Sequence, residues 1–177
     1  DKMKVRKIII KGNENLKTSK IKGGLFKKGV LTKTHEAGTL GSFLKSKKFT
    51  PDRYKTDKQN LLDKYNELGY RDATIVKDSV WNVDEKHVNV YIEVDEGKKY
   101  YIRNITWVGN TIFSTEYLSR MLGMKKGDVY NQKLMNKRLS EDEDAVGNEY
   151  WNRGYLFYSL QPTEVNIVGD SIDLEMR

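Results

Sequence analysis

The sequence predicts an α+β protein made of two tandem βααββ units, each laying two helices on one face of a three-stranded sheet. Three observations carry this. The chain repeats itself over most of its length. Apolar residues recur at period two in some segments and at helical spacing in others. Gly-Asn turn chemistry, Gly12-Asn13 and Gly109-Asn110, ends the opening strand of both copies.

The repeat begins at the first strand. Val5-Arg6-Lys7-Ile8-Ile9-Ile10-Lys11-Gly12-Asn13 matches Ile102-Arg103-Asn104-Ile105-Thr106-Trp107-Val108-Gly109-Asn110 at an offset of 97. Leu16, Thr18 and Ile21 continue it against Phe113, Thr115 and Leu118. Lys27-Lys28-Gly29 returns as Lys125-Lys126-Gly127 at offset 98, and Tyr65 with Gly69-Tyr70 returns as Tyr150 with Gly154-Tyr155 at offset 85. The first copy therefore holds 13 additional residues between Gly29 and Gly69. Several anchors in one order mark homologous units. The expected domains are 1–97, with an enlarged helix–helix region, and 98–177.

In each copy the opening strand is rich in residues that suit a pleated, half-buried surface. Ile8 and Ile10 share one face, as do Ile105 and Trp107. Thr18 and Ser114 are expected to cap a short first helix. Thr50 and Pro51 open the second helix of the first copy, and Tyr54, Leu61, Tyr65 and Leu68 form its buried face. Asn131 opens the corresponding helix of the second copy, with Met135, Leu139, Val146 and Tyr150 as its face and Gly154 at its end. Strands follow near Ala73–Trp81, His87–Val94, Phe157–Val165 and Ser171–Met176, with polar turns over Asn82–Lys86 and Asn166–Asp170. A three-stranded sheet leaves both edges open unless another segment covers them.

The chain has 177 residues, a formal charge of +7 and no cysteine, which removes disulfides, thiolate metal sites and cysteine nucleophiles together. The 19 aromatic residues argue against a disordered chain, and no apolar run is long enough for a membrane helix. The chain starts at Asp1, so it is read as part of a longer or processed protein. Residues 1–98 carry 22 basic and 14 acidic side chains, whereas 99–177 carry 10 and 11. The excess sits in residues 4–48, where 13 basic residues face only Glu14 and Glu36. Lys27, Lys28, Lys45, Lys47 and Lys48, interleaved with Phe26, Phe43 and Phe49, make a candidate basic surface for binding anionic lipid headgroups. The blander reading, a solvated basic face, is preferred there, and no nucleic-acid partner is expected.

Chemistry is sparse. His35 and His87 have no second ligand at metal spacing and read as surface histidines. Gly24–Gly29 lacks the Lys-Ser/Thr of a phosphate loop and reads as a helix end and turn. Glu141-Asp142-Glu143-Asp144 reads as a solvated helix face, and Asp84-Glu85 and Asp95-Glu96 as polar turns. No catalytic, cofactor or metal site is expected, and the protein is not expected to be an enzyme.

Three motifs carry a resemblance. They are the opening Val-Arg-x-Ile-x-Ile-x-Gly-Asn, the helix end Tyr65-Asn66-Glu67-Leu68-Gly69-Tyr70-Arg71-Asp72-Ala73, and Val88-Asn89-Val90-Tyr91-Ile92-Glu93-Val94-Asp95-Glu96-Gly97. Together they resemble the POTRA domains of the BamA family of outer-membrane β-barrel assembly proteins, over essentially the whole chain. The resemblance implies a three-stranded mixed sheet and a periplasmic location in an outer-membrane protein of a diderm bacterium. It also implies a C-terminal β-barrel outside this chain and a middle place in the usual run of five domains. The implied role is a non-enzymatic scaffold and chaperone. Its partners would be unfolded outer-membrane proteins, added as strands at an open sheet edge, and accessory assembly lipoproteins. Related translocation or secretion proteins carry the same domain and form the alternative.

The edge implied by the family is the second strand. In the first domain this means Ala73, Thr74, Ile75, Val76, Lys77, Asp78, Ser79 and Val80, and in the second Tyr158, Leu160, Thr163 and Val165. Lys77 and Asp78 would guard the first edge against indiscriminate pairing. Pro162 lacks an N–H, so the second edge is expected to be the poorer template. Gly97, Lys98 and Lys99 form the expected interdomain junction. The enlargement departs from the family pattern, so accessory-protein contacts are not carried over to the first domain.

Overall fold

A computed structural model describes residues 3–24, 27–37, 48–155 and 160–177. The chain divides into two compact units, Asp1–Tyr65 with Asp72–Gly97, and Asn66–Arg71 with Lys98–Arg177. Both have the expected α+β plan with a mixed sheet.

The first unit runs β1 (Lys4–Lys11), α1 (Thr18–Lys22), α2 (Pro51–Glu67), β2 (Thr74–Asn82) and β3 (His87–Asp95). β3 is central, parallel to β1 and antiparallel to β2. Its burial alternates along its length, with Val88, Val90, Ile92 and Val94 turned inward. They pack with Ile8 and Ile10 of β1 in a core that includes Leu61 and Tyr65 of α2. Thr50 caps α2 by accepting the Arg53 N–H (3.2 Å), and Pro51 takes its first position. Gly12 ends β1 at φ +82°, where a Cβ would come within 2.0 Å of the Val94 carbonyl oxygen. Thr18 is the first helical residue rather than the cap. Its hydroxyl is taken by the Asn13 side-chain amide (2.9 Å), and Lys17 stands at the cap position.

The second unit runs β4 (Tyr101–Trp107), α3 (Thr115–Leu122), α4 (Gln132–Asn136), α5 (Val146–Asn152), β5 (Pro162–Val168) and β6 (Ser171–Met176). Its strand order, β4-β6-β5, repeats that of the first sheet. Ser114 caps α3 and Asn131 caps α4, as their residue types require.

Two expectations fail here. The single helix expected from Asn131 to Gly154 is broken. A π-helical turn over Lys137–Glu141 closes on the Asp142 N–H to Lys137 carbonyl bond (2.9 Å), and Asp142 then turns extended. Arg138 is the physical reason. Its guanidinium donates to the Met121 and Leu122 carbonyls at the end of α3 and pairs with Asp142 and Asp144. Part of the acidic run is thus an arginine clamp, not a solvated helix face.

The second failure is the last hairpin. Its turn is only Gly169-Asp170, with Gly169 at φ +61°, so Asn166, Ile167 and Val168 belong to β5. A glycine of positive φ at the first central position permits so tight a connection.

Candidate functional site

An added strand needs an open row of backbone N–H and C=O groups, so the four sheet edges decide where pairing can occur. The β1 edge is covered by segments of the enlarged region. The Ala37 N–H donates to the Val5 carbonyl (2.6 Å), the Phe49 N–H to the Met3 carbonyl (2.7 Å), and Glu36 accepts the Ile8 N–H (3.2 Å). The β4 edge is covered by residues 127–130. There Ile102 donates to the Asp128 carbonyl and accepts from Gly127, both at 2.8 Å. Among the described residues, no segment makes a β-bridge to the outer edge of β2 or β5.

The direction of each backbone group follows from the ladder. In an antiparallel pair, residues alternately exchange bonds with the partner strand and point away from it. The Val83 N–H to His87 carbonyl bond (3.0 Å) sets the phase of β2. From the register, Trp81, Ser79 and Lys77 bond to β3, while Asn82, Val80 and Asp78 present their backbone groups outward. The register then slips at Val76, a bulge, and Ile75 is the outward residue beyond it. In β5 the mutual bonds between Gln161 and Arg177 set the phase, and the outward residues are Pro162, Glu164 and Ile167. Val165 is the bulge equivalent to Val76. The two bulge residues are exposed by 55% and 48%.

The two rows differ in chemistry. The β2 row keeps every donor, and its Asp78 carboxylate is held by the Tyr54 hydroxyl (2.9 Å) and the Lys58 ammonium (3.2 Å) of α2. The Tyr54 hydroxyl is correspondingly pushed well above the usual phenol range by burial first and by Asp78 second. The β5 row lacks the donor of Pro162. Within the second unit, its Glu164 carboxylate is gripped by the Arg71 guanidinium, with Nε at 2.7 and 2.8 Å.

Other expected site residues fall elsewhere. Ala73 is buried and precedes β2, and Leu160 packs against the core of the second unit. The exposed second edge is therefore Pro162–Val168, displaced from the expected segment for the hairpin reason above. Tyr158, Lys45 and Lys47, with Phe26 and Phe43, lie outside the described residues. Lys27 and Lys28 are exposed in the turn after α1, and Lys48 bridges to Lys4. Gly97 has φ +67° and donates its N–H to Asp95 (3.1 Å), and Lys98 and Lys99 are exposed.

With this geometry in hand, comparison with known proteins is decisive. The POTRA family, described as a surface antigen variable number repeat, matches residues 3–97 and 100–176. This chain is a tandem pair of POTRA domains. A putative outer membrane protein assembly factor of Treponema pallidum is 30% identical over 165 residues, covering 90% of the chain and 18% of that protein. The outer membrane protein assembly factor BamA of Neorickettsia risticii is 25% identical over 183 residues, covering 98% of the chain and 22% of that protein. The chain thus spans about a fifth of these relatives. Among solved structures, POTRA3-5 of Haemophilus influenzae BamA superposes with a TM-score of 0.69 at 23% identity, covering 99% of the chain and 65% of that structure. A Haemophilus ducreyi BamA lacking POTRA domains 1-3 gives 0.63 at 16% identity, covering 99% and 29%. The POTRA pair belongs to the periplasmic region of an outer-membrane protein, and none of its described helices is long and apolar enough to cross a membrane.

Three features of this POTRA pair were missed by sequence reasoning. Glu96 is no solvated turn residue. It is 6% exposed and accepts from the Asn15 N–H (3.0 Å), the Asn15 side-chain amide (2.9 Å) and the Tyr65 hydroxyl (2.6 Å). Asp57, 0% exposed on the buried face of α2, accepts the Thr32 and Lys33 N–H groups, both at 3.0 Å, and so holds the enlarged region. His35 is buried in that same region with Nε2 2.8 Å from the Thr32 carbonyl, so it is not a surface histidine. The signal that could have flagged Asp57 is a carboxylate set among apolar positions at i+3 from Tyr54.

On the outer face of the second sheet, Arg103 donates to Asp173 (Nε, 2.8 Å), and so does the Asn104 amide (2.9 Å). These donors, Arg103 foremost, hold the Asp173 carboxyl at about 2. A depressed carboxylate contributes stability above its unfolded pKa of about 4 and loses it as pH falls through the folded value. Carbon-detected titration should therefore find Asp173 charged until about pH 2. The variant Arg103→Ala should move that midpoint up toward the ordinary aspartate range.

Proposed function

We propose that this POTRA pair acts as a non-enzymatic scaffold in outer-membrane protein assembly, and that the open β2 edge receives an extended segment of an unfolded barrel precursor as a fourth strand. The observation that carries this reading is the asymmetry of the edges. β1 and β4 are covered, β5 has Pro162 in its outward row, and among the described residues β2 alone presents a proline-free open row. Backbone pairing ignores most side-chain identity, which suits a receptor for many clients that share alternating strand sequences. The names of the relatives support the assembly role. Accessory lipoproteins and a C-terminal barrel belong to the same proposal. The bulge at Val76 and the charges of Lys77 and Asp78 restrain indiscriminate pairing at that edge.

The test is photocrosslinking of an alternating β-strand peptide to this chain. Val80→Pro removes an N–H that β3 does not use, so the sheet is retained while the outward row loses a donor. Crosslinking should fall by roughly tenfold, the equivalent of losing about one to two hydrogen bonds. Ile75→Pro, beyond the bulge, should also lower it. Undiminished crosslinking in both variants would show that the peptide binds elsewhere.

A further inference from the structure

The face of the first sheet that points away from the helices has a chemistry of its own. Its rows follow from the register: Lys11, Glu93 and Lys77 in one, Ile9, Tyr91 and Ser79 in the next, Lys7, Asn89 and Trp81 in the third. Lys7, Lys11 and Lys77 are exposed, and Trp81 stands 41% exposed beside them. Among the described residues, neither Lys7 nor Lys11 joins an ion pair, and Lys77 lies over the Tyr91 ring, 6.0 Å from its centroid. The single carboxylate of these rows, Glu93, takes the Tyr91 hydroxyl (2.7 Å).

The homologous face of the second sheet is different. Its Asp173 and Glu175 each meet an arginine, Arg103 and Arg177. Its charges are balanced within the sheet, whereas the first sheet leaves a lysine excess unbalanced beside an indole and a phenol.

We infer that the outer face of the first sheet is a docking surface for anionic phospholipid headgroups. Charge complementarity supplies the sign. The geometry supplies the class, because the lysines sit on both outer strands, about 10 Å apart, with Ile9, Tyr91 and Trp81 among them. That is a flat array and not a groove following one polymer backbone. Indole and phenol rings suit the headgroup region, where one end of each is apolar and the other wet. Each lysine near an anionic surface strengthens binding by about fivefold. Three give a weak affinity, which suffices for a segment tethered to a membrane protein at high effective concentration. This surface differs from the β2 edge, so failure of one leaves the other standing. It also differs from the lysines of the enlarged region.

Flotation with vesicles tests it. The chain should bind vesicles of equal parts phosphatidylglycerol and phosphatidylcholine, weaken as salt rises, and not bind phosphatidylcholine alone. The variant K7E/K11E/K77E should lose binding by more than about tenfold, while K7R/K11R/K77R retains it and K27E/K28E leaves it unchanged. Trp81→Ala should lower binding without changing its salt dependence. Equal binding by the glutamate and lysine forms would overturn the inference. So would capture by dextran sulfate with no binding to anionic vesicles, which would mark a polyanion site instead.

Discussion

Replacement of Glu96 by alanine is expected to destabilise the first POTRA domain by about 3 kcal/mol, which for a domain of this size lowers its unfolding temperature by roughly 15 °C. The carboxylate is the shared acceptor for the Asn15 backbone N–H, the Asn15 amide and the Tyr65 hydroxyl. Tyr65 is fully buried in α2, and Asn15 lies in the turn between β1 and α1. One side chain at the end of β3 therefore ties three parts of the unit together. Charge-assisted bonds are about twice as strong as neutral ones, so Glu96→Gln should fall between wild type and alanine. Calorimetry checks this: the transition of the first domain should move while that of the second stays in place. A shift of the first by less than about 3 °C, under 1 kcal/mol, would mean that Glu96 is not the tie described.

The variant Asp57→Ala should cost the same domain about 2 kcal/mol, with a different signature. Asp57 holds the Thr32 and Lys33 N–H groups against α2, and the adjacent Leu31, Thr34 and His35 are buried. Loss of the carboxylate should release this stretch before the sheet is affected. Amide exchange at Thr32 and Lys33 should accelerate sharply while that of β3 changes only with global stability. Because the same stretch leads to Glu36 and Ala37 on the β1 edge, Val5 and Ile8 should follow. Asp57→Asn, with one acceptor oxygen in place of two, should give an intermediate result.

The parts of the fold written in local rules were legible in the sequence. Ser114, Asn131, Thr50 and Pro51 act at helix ends as their chemistry dictates. Period-two burial in β3 and β6 was evident because the central strand of each sheet buries one face completely. Edge strands gave a weaker signal. β5 has only its two half-buried positions at Pro162 and Glu164, so its pattern could not fix its limits, and Gly169 alone set the turn. The break after α4 was invisible because it depends on Arg138 reaching carbonyls of α3, a tertiary event without a local signature. Buried carboxylates were missed for the same reason: Glu96 and Asp57 look like solvated residues until their donors, 81 and 25 positions away, are brought to them. The backbone phase of β2 likewise required the hairpin bond at Val83, since side-chain alternation alone does not say which amides face outward.

The covered β1 edge has a consequence for association between molecules. A sheet sealed along one side has a valence of one. If two copies of this chain met β2 to β2, the merged sheet would carry its seals at both ends and offer no further place to grow. Growth of that merged sheet is thus terminated at its first step by the same segments that pair with Met3 and Val5.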